Sequence, residues 1–239
     1  TFYLMAPYQD VLVENFKTGL KIEYLDLPPQ DYQLGQSACT ITSKAVEDIY
    51  SSKFEEHRRL LAEGGSILEI GCGYGYNLGI WAENHEKTRI VGIDIDPNGV
   101  AFTQEIVKKN NWQDRVEVLH TSINNYASSH SMEFDLILMN HVLHEMDPAD
   151  SYRIKAFVDL HSMLKEDGIL IVVEHNIPDM FEPKDRSLFF EVWHKLFEVG
   201  LKSKFYTKDE FQEFVSSTPF KTAELVEDEN AYFWVLKRK

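Results

Sequence analysis

Short, unbroken apolar runs alternate along this chain with longer segments whose apolar residues recur every three or four positions. The runs are Ser66–Ile70, Arg89–Ile93, Arg115–His120, Phe134–Asn140 and Ile169–Glu174. Their length and continuity suit strands buried on both faces. Between them, Asn77–Asn84 sets Leu78, Ile80 and Trp81 on one side of a helix. Asp96-Pro97 opens a helix that runs to about Lys109, with Val100, Ala101, Ile106 and Val107 toward the sheet. A further helix is expected from about Ala149 to Lys165, followed by a turn at Asp167-Gly168. Ahead of the first strand, Ser43–Ala62 has helical spacing and ends at Gly64-Gly65. Toward the C-terminus, Asp185–Val199 reads as a helix, and Thr207–Glu210 is a capping box before Phe211, Phe214 and Val215. Phe220–Glu227 and Tyr232–Lys237 read as strands that close the sheet antiparallel. The alternation predicts an α/β, doubly wound, mostly parallel sheet. Residues 1–62 form an N-terminal helical or lid segment and 63–239 the main domain. Residues 1–35 carry the aromatics Phe2, Tyr3, Tyr8, Phe16, Tyr24 and Tyr32, broken at Pro28-Pro29, and serve as a clasp or a lid.

Ligands of such sheets bind beyond the C-terminal ends of the strands, and there the residues change character. After Ser66–Ile70 come Gly71, Gly73 and Gly75, and Asp94 ends the next strand. A glycine turn lets backbone approach a ligand, and a carboxylate at that strand end suits a ribose diol. The third glycine comes one residue too early for the dinucleotide pattern, where Tyr76 stands instead. Glu69 precedes the turn, and no Lys or Arg lies between Ser66 and Glu86 to offset a pyrophosphate beside it. A ligand with an ammonium, a sulfonium and a ribose but no phosphate removes the conflict. S-adenosylmethionine is such a ligand.

Composition narrows the partners. The 239 residues suit one α/β domain with additions, and the net charge of −15 opposes nucleic-acid binding. The two cysteines, Cys39 and Cys72, form no CxxC, as expected in a reducing cytoplasm. No apolar stretch is long enough for a membrane span.

The segment with Glu69, Gly71, Gly73, Gly75 and Asp94, 19 positions after the last glycine, resembles motifs I and II of the class I S-adenosylmethionine-dependent methyltransferases. That resemblance implies a seven-stranded sheet and a donor site built from those residues with Ile95, Ser122, Ile123 and Asn140. Strand four ends in Asn140-His-Val-Leu-His-Glu-Met-Asp147 and strand five in Glu174-His-Asn-Ile-Pro-Asp179. These stretches look like the small-molecule O-methyltransferases, with Glu145 in place of their usual Asp and Met146 in place of their Trp. The resemblance implies His144 as general base, with Glu145 and Glu174 in support. A related group methylates carbon in α-keto acids using a divalent metal. It points to His144, Glu145 and His194 as an alternative metal set. His141 and His175 read as packing residues. The expected partner is a small-molecule acceptor, with neither nucleic acid nor membrane.

Overall fold

The computed structural model describes residues 8–19, 26–37, 40–175, 202–227 and 231–239. The helix expected at Asp185–Val199, together with Phe2, Tyr3, Tyr24, Cys39, Asp179 and His194, lies outside them.

Four helices precede the sheet: α1 (Gln9–Thr18), α2 (Pro29–Ser37), α3 (Thr40–Lys53) and α4 (Glu55–Ala62). There follow β1 (Ser66–Ile70), α5 (Tyr76–Asn84), β2 (Arg89–Asp94), α6 (Pro97–Lys109), β3 (Val116–His120), α7 (Ile123–Ala127) and β4 (Phe134–Asn140). A 3₁₀ turn over Leu143–Glu145 leads to α8 (Asp150–Met163), β5 (Leu164–His175), α9 (Lys208–Ser216), β6 (Phe220–Glu227) and β7 (Ala231–Arg238). The strands form one seven-stranded sheet in the order β3-β2-β1-β4-β5-β7-β6. β1 to β5 are parallel, and β7 lies antiparallel between β5 and β6. The order reverses between β1 and β4, so the loops leaving those two strands flank one crevice.

Period-two alternation in the central strands explains the layers. Leu68, Ile70, Ile137, Met139, Leu170 and Val172 face one side, with Phe157, Leu160 and Met163 of α8 and Phe211 and Phe214 of α9. Ile67, Leu136, Leu138, Ile169 and Ile171 face the other, with Leu78 and Trp81 of α5 and Val100 and Val107 of α6. Val46 and Tyr50 of α3 and Leu61 of α4 belong to this second cluster. Tyr50 packs edge-on against Trp81 at 5.0 Å. The N-terminal helices thus bury side chains in the same core as the sheet.

Several boundaries differ from expectation. The single helix over Ser43–Ala62 is two, separated at Phe54. β5 begins at Leu164 rather than after a turn at Gly168, because Leu164 pairs with Phe134 across an irregularity in the register. In α5, Asn77 is buried and Ile80 only half-buried; in α6, Ala101 is exposed while Gly99 and Thr103 are buried. Pro29 opens α2, where its missing N–H costs nothing. The Asp96 carboxylate accepts from the N–H groups of Asn98 and Gly99 and starts α6. The Thr207–Glu210 capping box is formed. Of the N-terminal aromatics, Phe16 is exposed, while the Tyr8 hydroxyl donates to Asp31 at 2.6 Å and ties α1 to α2.

Candidate active site

The turn from β1 into α5 passes through Gly71, Gly73 and Gly75 with φ of +65°, +46° and +74°. Glycine alone adopts such angles without strain, and at all three positions a Cβ would also run into a neighbouring side chain, Thr103 Cγ2 at 2.6 Å in the case of Gly75. A Cβ on Gly71 would fall 2.5 Å from Val142 Cγ2, and one on Gly73 2.1 Å from Gln36 Oε1. The turn therefore packs directly against the loop after β4 and against α2. Gly71 N–H donates to the Ile93 carbonyl, which seats the turn against the end of β2. Asp94 completes that end: its Oδ2 accepts from Gly73 N–H at 2.7 Å and its Oδ1 from Asp96 N–H at 2.8 Å. Burial raises the Asp94 pKa, and those two N–H groups pull it partly back. Tyr74 N–H donates to Gln36 Oε1 and the Tyr74 hydroxyl to the Pro29 carbonyl, so α2 caps the turn. Tyr32, edge-on to Tyr74, lies in the field of Asp94 and Glu145 together; burial, then those charges, push its hydroxyl pKa well up.

Glu69 is buried beneath this turn. Its Oε1 accepts from Asn77 Nδ2 at 2.9 Å, while its Oε2 and Asn77 Oδ1 have no partner among the described residues. Two orphaned buried acceptors suit a cationic ligand group. Burial pushes the Glu69 carboxyl up to about 8, with Asp94 adding to the rise and Asn77 opposing it. Glu69 is therefore protonated at pH 7 in the unliganded protein, and a cation bound beside it restores the carboxylate. Nearly one proton should leave on donor binding at pH 7, read by titration calorimetry in buffers of different ionisation enthalpy; Glu69→Gln should release none. The linkage has a stability counterpart. Because the folded pKa lies above the ordinary 4.5, this group's stabilisation is complete below pH 4.5 and is lost as pH rises toward 8. Glu69→Gln should flatten that part of the unliganded protein's melting profile.

The remaining donor-side candidates sit around the same end of the sheet. Ile95 follows Asp94 with its side chain exposed, and Ser122 stands at the start of α7, its hydroxyl donating to Asn124. Ile123 is half-buried against the core. Asn140, the last residue of β4, donates to the Ser43 hydroxyl of α3 at 3.3 Å.

Across the crevice, His144 lies buried on the 3₁₀ turn. Its Nδ1 donates to Glu174 Oε2 at 2.7 Å, and its N–H donates to Glu174 Oε1 at 3.2 Å. One carboxylate from the end of β5 thus holds both the ring and the backbone of His144. Burial alone would raise the Glu174 pKa; the charge and hydrogen bonds of His144, with His141 behind, outweigh it and leave the pKa lowered. Glu145 stands 3.9 Å from His144 Nε2. Phe205 stacks on the ring at 5.0 Å between centroids. Asp147, expected at the mouth, is exposed and accepts from Ala149 N–H at the approach to α8.

Sequence reasoning missed the residue that shapes this loop. Arg153 is wholly buried, and its guanidinium donates to the backbone carbonyls of Asp147, Met146, His144 and Lys204. Its one visible signal was a cation on the sheet-facing side of α8. Arg153→Lys keeps the charge but not the fork. It should lower melting temperature and turnover while leaving donor affinity within about twofold, measured by thermal denaturation and calorimetry.

Residues 68–170 match the family model of a methyltransferase domain. The ribosomal protein L11 methyltransferase of Thermosipho africanus is 30% identical over 124 residues, which is 51% of this chain and 43% of that protein. The fold is shared with an O-methyltransferase family protein from Burkholderia thailandensis, at a TM-score of 0.77 and 14% identity over 99% of this chain and 70% of that one. It is shared too with an O-methyltransferase from neocarzinostatin biosynthesis, solved with S-adenosyl-L-homocysteine and 1,4-dihydroxy-2-naphthoic acid. That match has a TM-score of 0.60 and 14% identity over 95% and 67% of the two chains. Residues 68–170 are thus similar to a methyltransferase domain, and the seven-stranded sheet has the fold of the O-methyltransferases named above. The chain spans less than half the length of the curated relatives it matches.

Proposed function

We propose that this protein methylates a small-molecule acceptor, at oxygen, with His144 as the base. The observation that carries the reading is the buried His144–Glu174 pair at 2.7 Å, on the loop whose Val142 packs against the first glycine of the donor turn. Glu69, the three glycines, Asp94, Ile95, Ser122, Ile123 and Asn140 hold the donor. Residues 1–62 supply a cover to the domain at 63–239, with Gln36 and Tyr32 of α2 nearest the turn. S-adenosylmethionine supplies an electrophilic methyl on its sulfonium. The chain's own work is positional and protonic. Glu174 fixes the His144 tautomer with the proton on Nδ1, so that Nε2 is the nitrogen that accepts a proton from a hydroxyl. The carboxylate also offsets the positive charge that His144 then gains. Phe205, stacked on the His144 ring, offers a flat apolar wall, which suits an aromatic acceptor.

The dihydroxynaphthoic acid held by one fold neighbour and the name of the erythromycin 3''-O-methyltransferase relative agree with hydroxylated small molecules as acceptors. The fold also has macromolecule-modifying relatives, but the net charge of −15 weighs against an RNA acceptor. Incubation with S-adenosylmethionine and a panel of hydroxylated aromatics tests the reading. S-adenosylhomocysteine should form only in the presence of an acceptor. Turnover of amines or proteins with none of phenols would overturn it.

A further inference from the structure

The ends of β4 and β5 bring three imidazoles together. One ring nitrogen each of His141, His144 and His175 lies within 4.8 Å of the others. Ring centroids are 4.4 Å apart for His141–His175, 5.2 Å for His144–His175 and 6.2 Å for His141–His144. The backbone delivers them there. His141 N–H donates to the Val173 carbonyl, two residues before His175 on the neighbouring strand. His141 holds φ at +56°, a conformation that non-glycine residues adopt rarely and at some cost. The His144 carbonyl is gripped by Lys204 N–H and Arg153.

Any two of these imidazoles that protonate repel one another, whereas a divalent cation between them draws three neutral rings together. The outer contacts are also those of a metal site: Glu174 holds His144 Nδ1, so that ligation by this ring falls to Nε2 with a carboxylate behind the ligating histidine. Glu145, 3.9 Å from that Nε2, adds negative charge. Metal–nitrogen bonds of about 2.0–2.1 Å in a tetrahedron set nitrogens about 3.4 Å apart, so modest side-chain rotation closes the set.

We propose that His141, His144 and His175 bind one divalent transition-metal ion, with a fourth position open to an oxygen of the acceptor. Three neutral nitrogens select zinc, iron, cobalt or nickel over magnesium and calcium. The site stands on the geometry of the three rings; its use in holding an acceptor rests on the methyl-transfer reading. Ligation and proton acceptance both need His144 Nε2, so they exclude each other. Metal loading then decides which hydroxylated molecules react, favouring those with two adjacent oxygens that can chelate.

Chelator-treated full-length protein titrated with Zn(II) by calorimetry, and with Co(II) by visible absorption, tests this. One ion per chain should bind at micromolar Kd or tighter, with intense Co(II) bands. His175→Ala and His141→Asn (Asn tolerates the His141 backbone) should each weaken it at least 100-fold, and His161→Ala should not. His175→Gln serves if the alanine variant does not fold. Absence of saturable binding, or equal affinity in the His175 and His141 variants, overturns the proposal. S-adenosylmethionine is titrated in parallel: its failure to bind a protein that still takes metal would strike the methyltransferase reading instead.

Discussion

His144→Ala should reduce turnover by about 10³-fold while S-adenosylmethionine affinity stays within about twofold of the parent. The size follows from what the side chain does. A positioned base contributes two to four orders of magnitude to proton transfer, and among the described residues His144 combines burial with a carboxylate that fixes its tautomer. The donor affinity should survive because the turn is held by Asp94, Thr103 and Gln36, none of which touches the imidazole. Glu174→Gln keeps the volume and removes the negative charge, and its amide can present either an acceptor or a donor to Nδ1. Its expected loss is smaller, about 10- to 100-fold in kcat, with the larger share in the protonation of His144. Initial rates with saturating donor, beside calorimetric titrations, separate the two parameters. Full activity in His144→Ala would remove both the base and the metal-ligand roles at once. His175→Ala distinguishes those two: a base needs no help from His175, whereas a three-histidine metal site loses it as surely as it loses His144.

The meeting of the glycine turn with Asp94 was legible because its determinants are local. Buried strands show as apolar runs, so Ser66–Ile70 and Phe134–Asn140 appear in the sheet with the bounds the pattern assigns. The glycine turn and Asp94 lie within one βαβ unit, where spacing along the chain is nearly spacing in space. The acceptor half depends on which strands lie side by side and on loops folding back. His141 and His175 meet because β4 and β5 are neighbours, 34 positions apart in sequence, and so looked like isolated packing residues. Phe205 reaches His144 only because Lys204 N–H bonds the His144 carbonyl. Arg153 resembles one more helical cation until its four carbonyl partners are seen. The break at Phe54 and the early start of β5 were hidden for another reason: apolar spacing continues through the first, and in the second the polar Lys165–Gly168 segment bulges between the Leu164–Phe134 and Ile169–Leu136 pairs.

The same contrast sets the second large effect, on the donor side. Asp94→Ala should weaken S-adenosylmethionine binding by about 100-fold or more, since hydrogen bonds to a charged group are worth roughly 1.5–3 kcal/mol each. The loss has two parts. On the proposed reading the ribose diol loses its acceptor, and the N–H groups of Gly73 and Asp96 lose the carboxylate that shapes the turn. Asp94→Asn separates them: one carbonyl oxygen remains for one N–H, while the amide faces the other badly. It should bind more tightly than the alanine variant and melt closer to the parent. pH offers a check without mutation. The Asp94 pKa is raised by burial, so its carboxylate is lost earlier than usual on acidification, and donor affinity should fall as pH drops toward that raised value. In a Glu69→Gln background, which removes the proton release argued for that carboxyl, Asp94→Ala should show no such fall. An unchanged Kd in Asp94→Ala would mean that the ribose is held elsewhere, and that the carboxylate serves only to brace the glycine turn.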